Sequence, residues 1–327
     1  MASYLRYITF KRLRNAFRCR LSFILSAFGV EHYRHMPTFL SVEPANWCML
    51  RCPQCPVGQR GAAASAERQT MSEELCRRAF DQAAPTAHTV IFHFQGEPLL
   101  NPALPAMIAY AHARKLYTML STNAQTLTPA LAEQLVGSGL DRIIVSIDGL
   151  TQESYAHYRV GGHLDRALDG MRALADCKKQ TGCGPEIVLQ CLLLRSNEAE
   201  WPLFRECYKA LGANRLEMKT AQFYDYKEGN PDMPTDLRYA RYVRNADGSY
   251  RLKQPLRNRC YRLWSGCVVT TDGTVLPCCF DKDHTYRLGN LNGQSLEEIM
   301  HSESAKRFRK ALLKNRAGIP ICTNCSE

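Results

Sequence analysis

The sequence contains no apolar run that approaches the roughly 18 to 20 residues of a membrane-spanning helix. We also expect no cleavable secretory signal, and the fifteen cysteines are an odd number. A framework of disulfides requires an oxidising compartment, so we do not expect one here. The cysteines instead indicate metal binding in a reducing cytoplasm.

Acidic residues are scarce only at the two ends of the chain, where the formal charge of +11 originates. Residues 1–36 carry seven Lys or Arg and one acid, and residues 305–327 carry six and one. The middle of the chain has equal numbers of bases and acids. This distribution argues against nucleic acid as a partner, and the basic ends could face a membrane surface, an acidic partner or nothing specific.

The N-terminal segment has the periodicity of an amphipathic helix. Its apolar stripe consists of Phe10, Leu13, Phe17, Leu21, Ile24 and Phe28. The bases that flank the stripe are Lys11, Arg12, Arg14, Arg18 and Arg20. Such a helix can lie on an anionic membrane surface or dock its stripe on the main domain. We favour docking, because most amphipathic helices of soluble enzymes pack on their own core.

From Thr38 onward, strand-like and helical patterns alternate, and the hydrophobic content of 45% suffices for one large domain plus a small one. The candidate strands are 39–43, 89–95, 117–122, 142–148, 186–194 and 214–220. The candidate helices between them are 72–83, 102–114, 128–137, 164–180 and 198–210. Six strands linked by helices predict right-handed parallel crossovers. Periodicity alone does not distinguish an open doubly wound sheet from a partial barrel.

Three cysteines, Cys48, Cys52 and Cys55, lie within eight residues in the pattern C-x3-C-x2-C. A 4Fe-4S cluster normally takes four cysteines, so three would leave one iron open to a ligand from outside the protein. The alternatives are a zinc knuckle or three unrelated buried thiols. Zinc loops favour a second cysteine pair nearby, and none follows within the next twenty residues.

This spacing resembles the signature of the radical S-adenosylmethionine (SAM) superfamily, in which the cofactor's amino and carboxylate groups chelate the open iron. Gln54 stands where the family usually has an aromatic residue. The resemblance implies an α/β fold, a partial (β/α)6 TIM-like barrel with the cluster loop after its first strand.

Further motifs follow the predicted strands, at the edge where parallel α/β folds gather functional groups. Gln95-Gly96-Glu97-Pro98 resembles the family's Gly-Gly-Glu-Pro element, in which Glu97 would accept from the methionyl amine of the cofactor. The other positions that resemble cofactor-binding positions are Ser121, Asn123, Ser146, Asp148 and Arg159. Taken singly, each could be a turn or a strand-end cap.

Other polar residues alternate toward the predicted barrel interior. They are His93, Gln95, Gln190, Glu217 and Lys219. Each could instead be a satisfied polar group of the core. In the irregular segment that follows, Tyr224, Asp225 and Tyr226 are candidates for contact with substrate.

The tail contains a second set of cysteines. Cys260, Gly273 and Cys278 form a C-x12-G-x4-C unit that resembles the opening of the SPASM/Twitch extension, with a hairpin that turns at Asp272-Gly273. By that resemblance, Cys322 and Cys325 would complete the ligands of one auxiliary 4Fe-4S cluster. Zinc in the same four thiolates is the alternative.

Eight cysteines lie outside these two predicted ligand sets. Cys267 and Cys279 are surplus thiols of the tail, and either could displace a predicted ligand. The remaining six are predicted to be packing residues: Cys19, Cys76, Cys177, Cys183, Cys191 and Cys207.

The predicted domains are an N-terminal helix (1–37), the radical SAM partial barrel (38–222), a connector (223–259) and a small cysteine-rich SPASM/Twitch domain (260–327). Length and tail together resemble a group of short bacterial radical SAM proteins. The resemblance implies an oxidoreductase or peptide-modifying enzyme that cleaves SAM to a 5'-deoxyadenosyl radical. Its substrate would be a peptide side chain or a small alcohol, modified with the help of the auxiliary cluster.

The implied partners are the substrate and a reducing electron donor such as flavodoxin or ferredoxin. We expect a cytoplasmic protein, with residues 1–36 as the segment that could contact the inner membrane face. The alternative is a zinc-stabilised, basic nucleic-acid-binding protein without catalysis.

Overall fold

A nine-stranded sheet forms the centre of the protein, whose structure is a computed structural model that describes residues 6–60 and 68–326. The first five residues of the predicted N-terminal segment and the last residue of the tail lie outside the described residues. Six strands alternate with helices: Phe39–Val42 (β1), Thr89–Phe92 (β2), Tyr117–Thr122 (β3), Arg142–Ser146 (β4), Glu186–Leu193 (β5) and Arg215–Thr220 (β6).

All neighbouring pairs from β1 to β6 are parallel, in the order in which they occur along the chain. This arrangement confirms the predicted α/β partial barrel. Parallel neighbours place the carboxyl ends of all six strands at one edge, which is where the predicted cofactor motifs follow. The strand β2 ends at Phe92, three residues before the predicted end, so His93 and Gln95 belong to the loop that follows it.

The predicted helices are present with bounds close to those predicted, except that the one predicted at 198–210 spans only Trp201–Cys207, and further helices occur that were not predicted. The helices are Phe10–Ser26 (α1), Pro56–Arg60 (α2), Glu73–Ala83 (α3), Leu104–Ala113 (α4), Pro129–Gly137 (α5), Gln152–Tyr158 (α6), Leu164–Thr181 (α7), Trp201–Cys207 (α8), Tyr261–Ser265 (α9), Leu296–Met300 (α10) and Glu303–Asn315 (α11). Side-chain caps start several of them: Ser72 accepts from the Leu75 amide at 3.2 Å, and Thr128 accepts from the Leu131 amide at 3.2 Å.

The tail adds strands directly to the barrel sheet. Gly266–Val269 (β9) pairs in parallel with β1, and Thr274–Leu276 (β10) and Gly289–Asn290 (β11) follow as antiparallel neighbours. The turn between β9 and β10 includes Asp272 and Gly273, as predicted, with Gly273 at φ +84°. The connector contributes a separate hairpin of Tyr242–Arg244 (β7) and Tyr250–Leu252 (β8). The division into four domains stays a prediction, because β9 makes the barrel and the tail one continuous sheet.

The prediction that the apolar stripe docks on the main domain is wrong. Helix α1 buries its polar residues instead and leaves the stripe in solvent, with Phe10 79% exposed, Phe17 71% and Phe28 78%. Among the described residues, none of the helices has the length and apolar character needed to cross a membrane.

Four of the six cysteines predicted to be packing residues are buried. Cys183 is exposed, so the prediction is wrong for that thiol, and Cys207 is only half-buried. Cys183 lies in the loop between α7 and β5, where the chain reverses at the surface and offers no core to pack against.

Candidate functional site

The loop that carries Cys48, Cys52 and Cys55 leaves β1 at the carboxyl edge of the sheet and packs against the loop after β2. The Glu97 amide donates to the Trp47 carbonyl at 2.8 Å. Gly96 lies at φ +65°, and a Cβ there would come within 2.7 Å of the Trp47 amide nitrogen and would also meet the Ala45 carbonyl. Only glycine allows this backbone to approach the cysteine loop so closely.

The Glu97 carboxylate is buried, with 2% of the residue exposed. Its Oε1 accepts from the Thr122 hydroxyl at 2.6 Å and from the Leu99 amide at 3.1 Å, and its Oε2 accepts from the Asn123 amide at 2.9 Å. Burial raises the pKa of Glu97, while these hydrogen bonds act in the opposite direction. The sequence did not single out Thr122, although it lies between two predicted residues.

Asn123 and Arg159 bring side-chain donors to the cysteine loop. The side-chain nitrogen Nδ2 of Asn123 lies 3.3 Å from Cys48 Sγ, and Arg159 Nη1 lies 4.0 Å from Cys52 Sγ. Asp148 holds Arg159 in place by accepting from its Nε at 2.6 Å, and its other oxygen accepts from the Leu192 amide at 2.7 Å. Burial acts to lower the pKa of Arg159, but Asp148 and Cys52 outweigh it and the net shift is upward.

These residues surround a cavity of about 220 Å³ at the carboxyl edge of the sheet. Its lining includes all three thiols and the predicted cofactor positions Gly96, Glu97, Ser121, Asn123, Ser146 and Arg159. Asp148 is the one predicted position of the site that acts through a neighbour, Arg159. Three thiol donors, a buried carboxylate and a guanidinium facing one cavity fit a cluster with an open iron and a zwitterionic cofactor.

Electrostatic interactions connect the four predicted auxiliary ligands, although within the part of the chain that the structure describes no three Cys, His, Asp or Glu side chains are arranged to hold a metal ion. The pKa of Cys322 is raised to about 11, chiefly by burial and further by Cys260 and Cys325, and Cys260 also acts on Cys278. The Arg316 guanidinium lies beside Cys260, Cys322 and Cys325 and donates to the Arg259 carbonyl at 3.0 Å. Four thiols are the usual ligand set of a protein-ligated 4Fe-4S cluster, and the assignment of these four to that role stays a prediction.

The two surplus thiols of the tail differ in their surroundings. Cys279 lies against Cys278, and Arg262 Nη1 lies 3.5 Å from its sulfur. The pKa of Cys267 is raised to about 12 by burial, without a contribution from another thiol of the described residues. Cys279 is therefore the surplus thiol placed to replace Cys278.

A second cavity, of about 250 Å³, separates the cofactor-side cavity from the tail cysteines. His93 and Phe94 line both cavities, and Arg262, Lys282, Cys278 and Cys279 close the far side. Burial lowers the pKa of His93 to about 3, and Lys219, Lys282 and Arg262 act in the same direction. Nδ1 of His93 has no hydrogen-bond partner among the described residues. His93 thus presents a neutral ring to this cavity.

Among the other interior residues predicted from alternation, Gln95, Glu217 and Lys219 have protein partners, whereas the buried Nε2 of Gln190 has none among the described residues. Gln95 donates to the Lys282 carbonyl at 2.8 Å, and Glu217 pairs with Arg142. Tyr226 is buried and stacks on Tyr242 with ring centres 4.6 Å apart, so it does not face substrate. Tyr224 is 48% exposed, and its amide donates to the Gln54 side chain at 3.0 Å.

Two charged residues near the site were not predicted. Glu43, directly after β1, is 1% exposed, and its Oε2 accepts from the Thr271 amide at 3.3 Å. Lys282 lies between the two cysteine groups, since Cys55 and Cys279 both act on its pKa, and its Nζ donates to the Phe94 carbonyl at 3.1 Å. The irregular loop that carries Lys282 has no periodicity from which the sequence could place it.

An open groove of about 660 Å³ runs past the cysteine loop to the surface. Pro56, Gln59 and Arg60 form one wall, and the tail forms the other with Phe280, Lys282 and Tyr286. Lys282 lines both this groove and the interior cavity. The groove and the interior cavity therefore lie next to each other at Lys282.

Comparison with known proteins agrees with this geometry. Residues 42–195 match the profile of the Radical SAM superfamily, and residues 260–326 match that of the SPASM iron-sulfur cluster-binding domain. The "PqqA peptide cyclase" of Ruegeria pomeroyi is 30% identical over 264 residues, which cover 74% of this chain and 67% of that protein. The chain belongs to the radical SAM superfamily. It is a radical SAM enzyme with a SPASM tail, and its cofactors are SAM and 4Fe-4S clusters.

Other relatives of this radical SAM enzyme have different names. The "AdoMet-dependent heme synthase" of Methanosarcina barkeri is 29% identical over 338 residues, which cover 88% of this chain and 91% of that protein. Similar solved structures include Streptococcus suis SuiB bound to its precursor peptide SuiA, with a TM-score of 0.63, 15% identity and coverage of 91% and 71%. BtrN in complex with AdoMet and 2-DOIA has a TM-score of 0.54, 19% identity and coverage of 90% and 95%. At these identities the solved structures support the fold alone.

Proposed function

We propose that this radical SAM enzyme oxidises a side chain of a peptide by two electrons. The observation that carries the proposal is the groove of about 660 Å³, which is open to solvent and shares Lys282 in its lining with the interior cavity of about 250 Å³. A small alcohol would need only the interior cavity, whereas an extended peptide needs a groove along the surface. Relatives named for a peptide substrate, the PqqA peptide cyclases, support the same substrate class.

In this proposal Cys48, Cys52 and Cys55 hold the cluster that binds SAM. Glu97 accepts from the amino group of the cofactor, and Ser121, Asn123 and Ser146 line the space for the ribose and the carboxylate. Arg159 contributes a positive charge, fixed in direction by Asp148. When bound, the cofactor and its cluster supply a 5'-deoxyadenosyl radical that takes one hydrogen atom from the substrate.

Cys260, Cys278, Cys322 and Cys325 would hold an auxiliary cluster on the other side of the interior cavity. A substrate that has lost a hydrogen atom reaches the two-electron product by losing one further electron and one proton. The auxiliary cluster is the proposed electron acceptor, and solvent in the open groove takes the proton. One 5'-deoxyadenosine is formed per product, and no SAM is regenerated.

The proposed partners include a low-potential donor such as flavodoxin or ferredoxin, which supplies the electron for cofactor cleavage. The proposed location is the cytoplasm, with residues 1–36 in contact with the inner face of the membrane. The apolar stripe that α1 leaves in solvent supports this contact.

The test is an anaerobic incubation of the reconstituted enzyme with SAM, a reductant and peptides encoded beside its gene. Mass spectrometry is expected to find a peptide lighter by two hydrogens and one equivalent of 5'-deoxyadenosine per product. Unchanged peptides together with oxidation of a small alcohol would contradict the peptide assignment. Iron and sulfide of about eight each per chain are expected, whereas zinc in their place would favour the nucleic-acid-binding alternative.

A further inference from the structure

Amphipathic helices of soluble proteins usually bury their apolar face and expose their polar face, and helix α1 does the reverse. Successive residues of an α-helix are rotated by about 100° around its axis. On this basis the six residues of the apolar stripe point within about 40° of one direction. The five buried residues of the helix point within about 40° of the opposite direction. The five buried residues are Arg12, Asn15, Cys19, Ser22 and Ser26. Of the eleven large apolar side chains exposed in the described residues, eight lie between Ile8 and Val30.

Specific hydrogen bonds fix the rotation of α1 about its axis. Arg12 donates to the Ala84 carbonyl at 2.8 Å and to the Tyr7 carbonyl at 2.7 Å. Asn15 donates to the Met36 carbonyl at 2.8 Å and accepts from the Met36 amide at 2.9 Å. These hydrogen bonds would be lost if the helix turned its stripe inward. They therefore stabilise the orientation in which the stripe faces solvent.

Positive charge flanks the exposed stripe on both sides. Lys11, Arg14 and Arg18 lie on one flank and Arg20 lies on the other, and all four residues are exposed. Lys11, Arg14 and Arg18 also line a cavity of about 360 Å³ together with Arg34, beside which Glu297 contributes one acid. A headgroup phosphate beside buried acyl chains presents the complementary arrangement, with an anion next to an apolar layer.

We infer that α1 is an interfacial helix that inserts its apolar stripe into a bilayer rich in anionic phospholipid, whose headgroups occupy the cavity beside Arg14, Arg18 and Arg34. A second copy of the chain is a poorer occupant of the stripe, because facing helices would bring two sets of exposed bases together. This inference deepens the proposed membrane contact and is independent of the radical chemistry.

The test is co-sedimentation of the full-length, cluster-loaded enzyme with phosphatidylcholine vesicles that contain or lack phosphatidylglycerol. Binding is expected only with phosphatidylglycerol and is expected to weaken as salt rises, since Lys and Arg attract the anionic surface. The double change Phe10→Glu and Phe17→Glu should reduce the bound fraction at least tenfold. Leu203→Glu, at an apolar residue of α8 that is 51% exposed, is the matched control and should bind as the parent does.

Cleavage of SAM in solution, measured on each variant, separates this inference from the proposed function. Normal cleavage together with lost vesicle binding would support the interfacial helix alone. Vesicle binding that survives the double Phe change, or that does not depend on phosphatidylglycerol, would overturn the inference. A dimer that dissociates when Phe17 becomes Glu, without vesicle binding by the parent, would assign the stripe to a second copy instead.

Discussion

The Glu97 amide donates to the Trp47 carbonyl oxygen at 2.8 Å, and this bond joins the loop after β2 to the cysteine loop after β1. Trp47 directly precedes the first thiol, and Glu97 directly follows Gly96. This backbone contact therefore helps to fix the proposed cofactor carboxylate, Glu97, relative to the first proposed cluster ligand, Cys48. Residues that keep the two loops in contact should matter as much as the groups that touch the cofactor.

Gly96→Ala tests this contact. The new Cβ would lie within 2.7 Å of Trp47 backbone atoms at φ +65°, and strain of this kind should lower the free energy of unfolding by about 2 to 5 kcal/mol and weaken SAM binding. Gly137→Ala, where nothing lies within 4 Å, is the control and should stabilise by up to about 1 kcal/mol. Denaturant unfolding measures both, and equal effects at the two glycines would disprove the tight contact.

Glu97→Gln should weaken SAM binding by about 1 to 3 kcal/mol, the scale of a lost charge-assisted hydrogen bond. A glutamine also brings an amide donor toward the Thr122 hydroxyl or the Asn123 amide, both of which now donate to the carboxylate. Equilibrium dialysis measures the affinity. Glu153→Gln, at an exposed position of α6, should leave it unchanged. If the two variants bound SAM with equal affinity, Glu97 would be a turn residue without a role in cofactor binding.

Changing Cys48, Cys52 and Cys55 together to Ala should abolish SAM cleavage and leave about half of the iron bound. The two cysteine groups are far apart in sequence, and the cavity lined by Cys48, Cys52 and Cys55 contains no cysteine of the tail, so each group should load without the other. Iron analysis and 5'-deoxyadenosine assays make the comparison. Ala at Cys177, Cys183 and Cys207 is the matched triple change and should retain all iron. Loss of all iron from a folded first variant would argue against two independent sites.

Removing Cys322 and Cys325 should spare SAM cleavage and stall product formation, because the substrate then lacks its electron acceptor. The expected signature is 5'-deoxyadenosine without product, or substrate that exchanges hydrogen for deuterium. Removal of Cys183 and Cys207, two thiols outside both groups, provides the control. If the variant formed as much product per 5'-deoxyadenosine as the parent does, the tail cluster would have only a structural role.

Glu43 should make stability depend on pH between about 4.5 and 7. Burial raises its pKa from 4.5 to about 7, so the protonated form is favoured in the fold. The stabilisation of the fold by the protonated Glu43 is fully present below pH 4.5. As pH rises from 4.5 through 7 this stabilisation is lost, which lowers the free energy of unfolding by roughly 3 kcal/mol. Glu43→Gln should flatten this part of the stability profile in unfolding experiments across pH, and Glu153→Gln should not. If the free energy of unfolding of the Glu43 variant kept the same dependence on pH, that dependence would belong to another group.

The sequence predicted the elements of the barrel well because their signals are local. The strand β3, predicted as 117–122, has those bounds, and α5 and α7 begin and end within one residue of their predicted limits. The strand β2 ends three residues before its predicted limit, and the His93 carbonyl beyond it accepts from the Ser41 hydroxyl at 2.7 Å. The cofactor positions were found through motifs that lie at the ends of such strands.

The parts that were missed depend on long-range contacts. Periodicity identified the stripe of α1 but carries no information on which face meets the body of the protein, and that choice is made by Arg12 and Asn15. Lys282 reaches the site from an irregular loop of the tail, nearly two hundred residues beyond Phe94. Glu43 has an ordinary sequence context, and its burial becomes evident only once Thr271 lies beside it.

The parallel pairing of β9 with β1 gives the tail a role in solubility. A chain that ended before Cys260 would leave β1 as an edge strand, with unpaired backbone groups on the side that Gly266–Val269 now covers. Exposed edges of this kind recruit strands from other molecules. Shortened forms of this protein should therefore aggregate even where the barrel itself can fold.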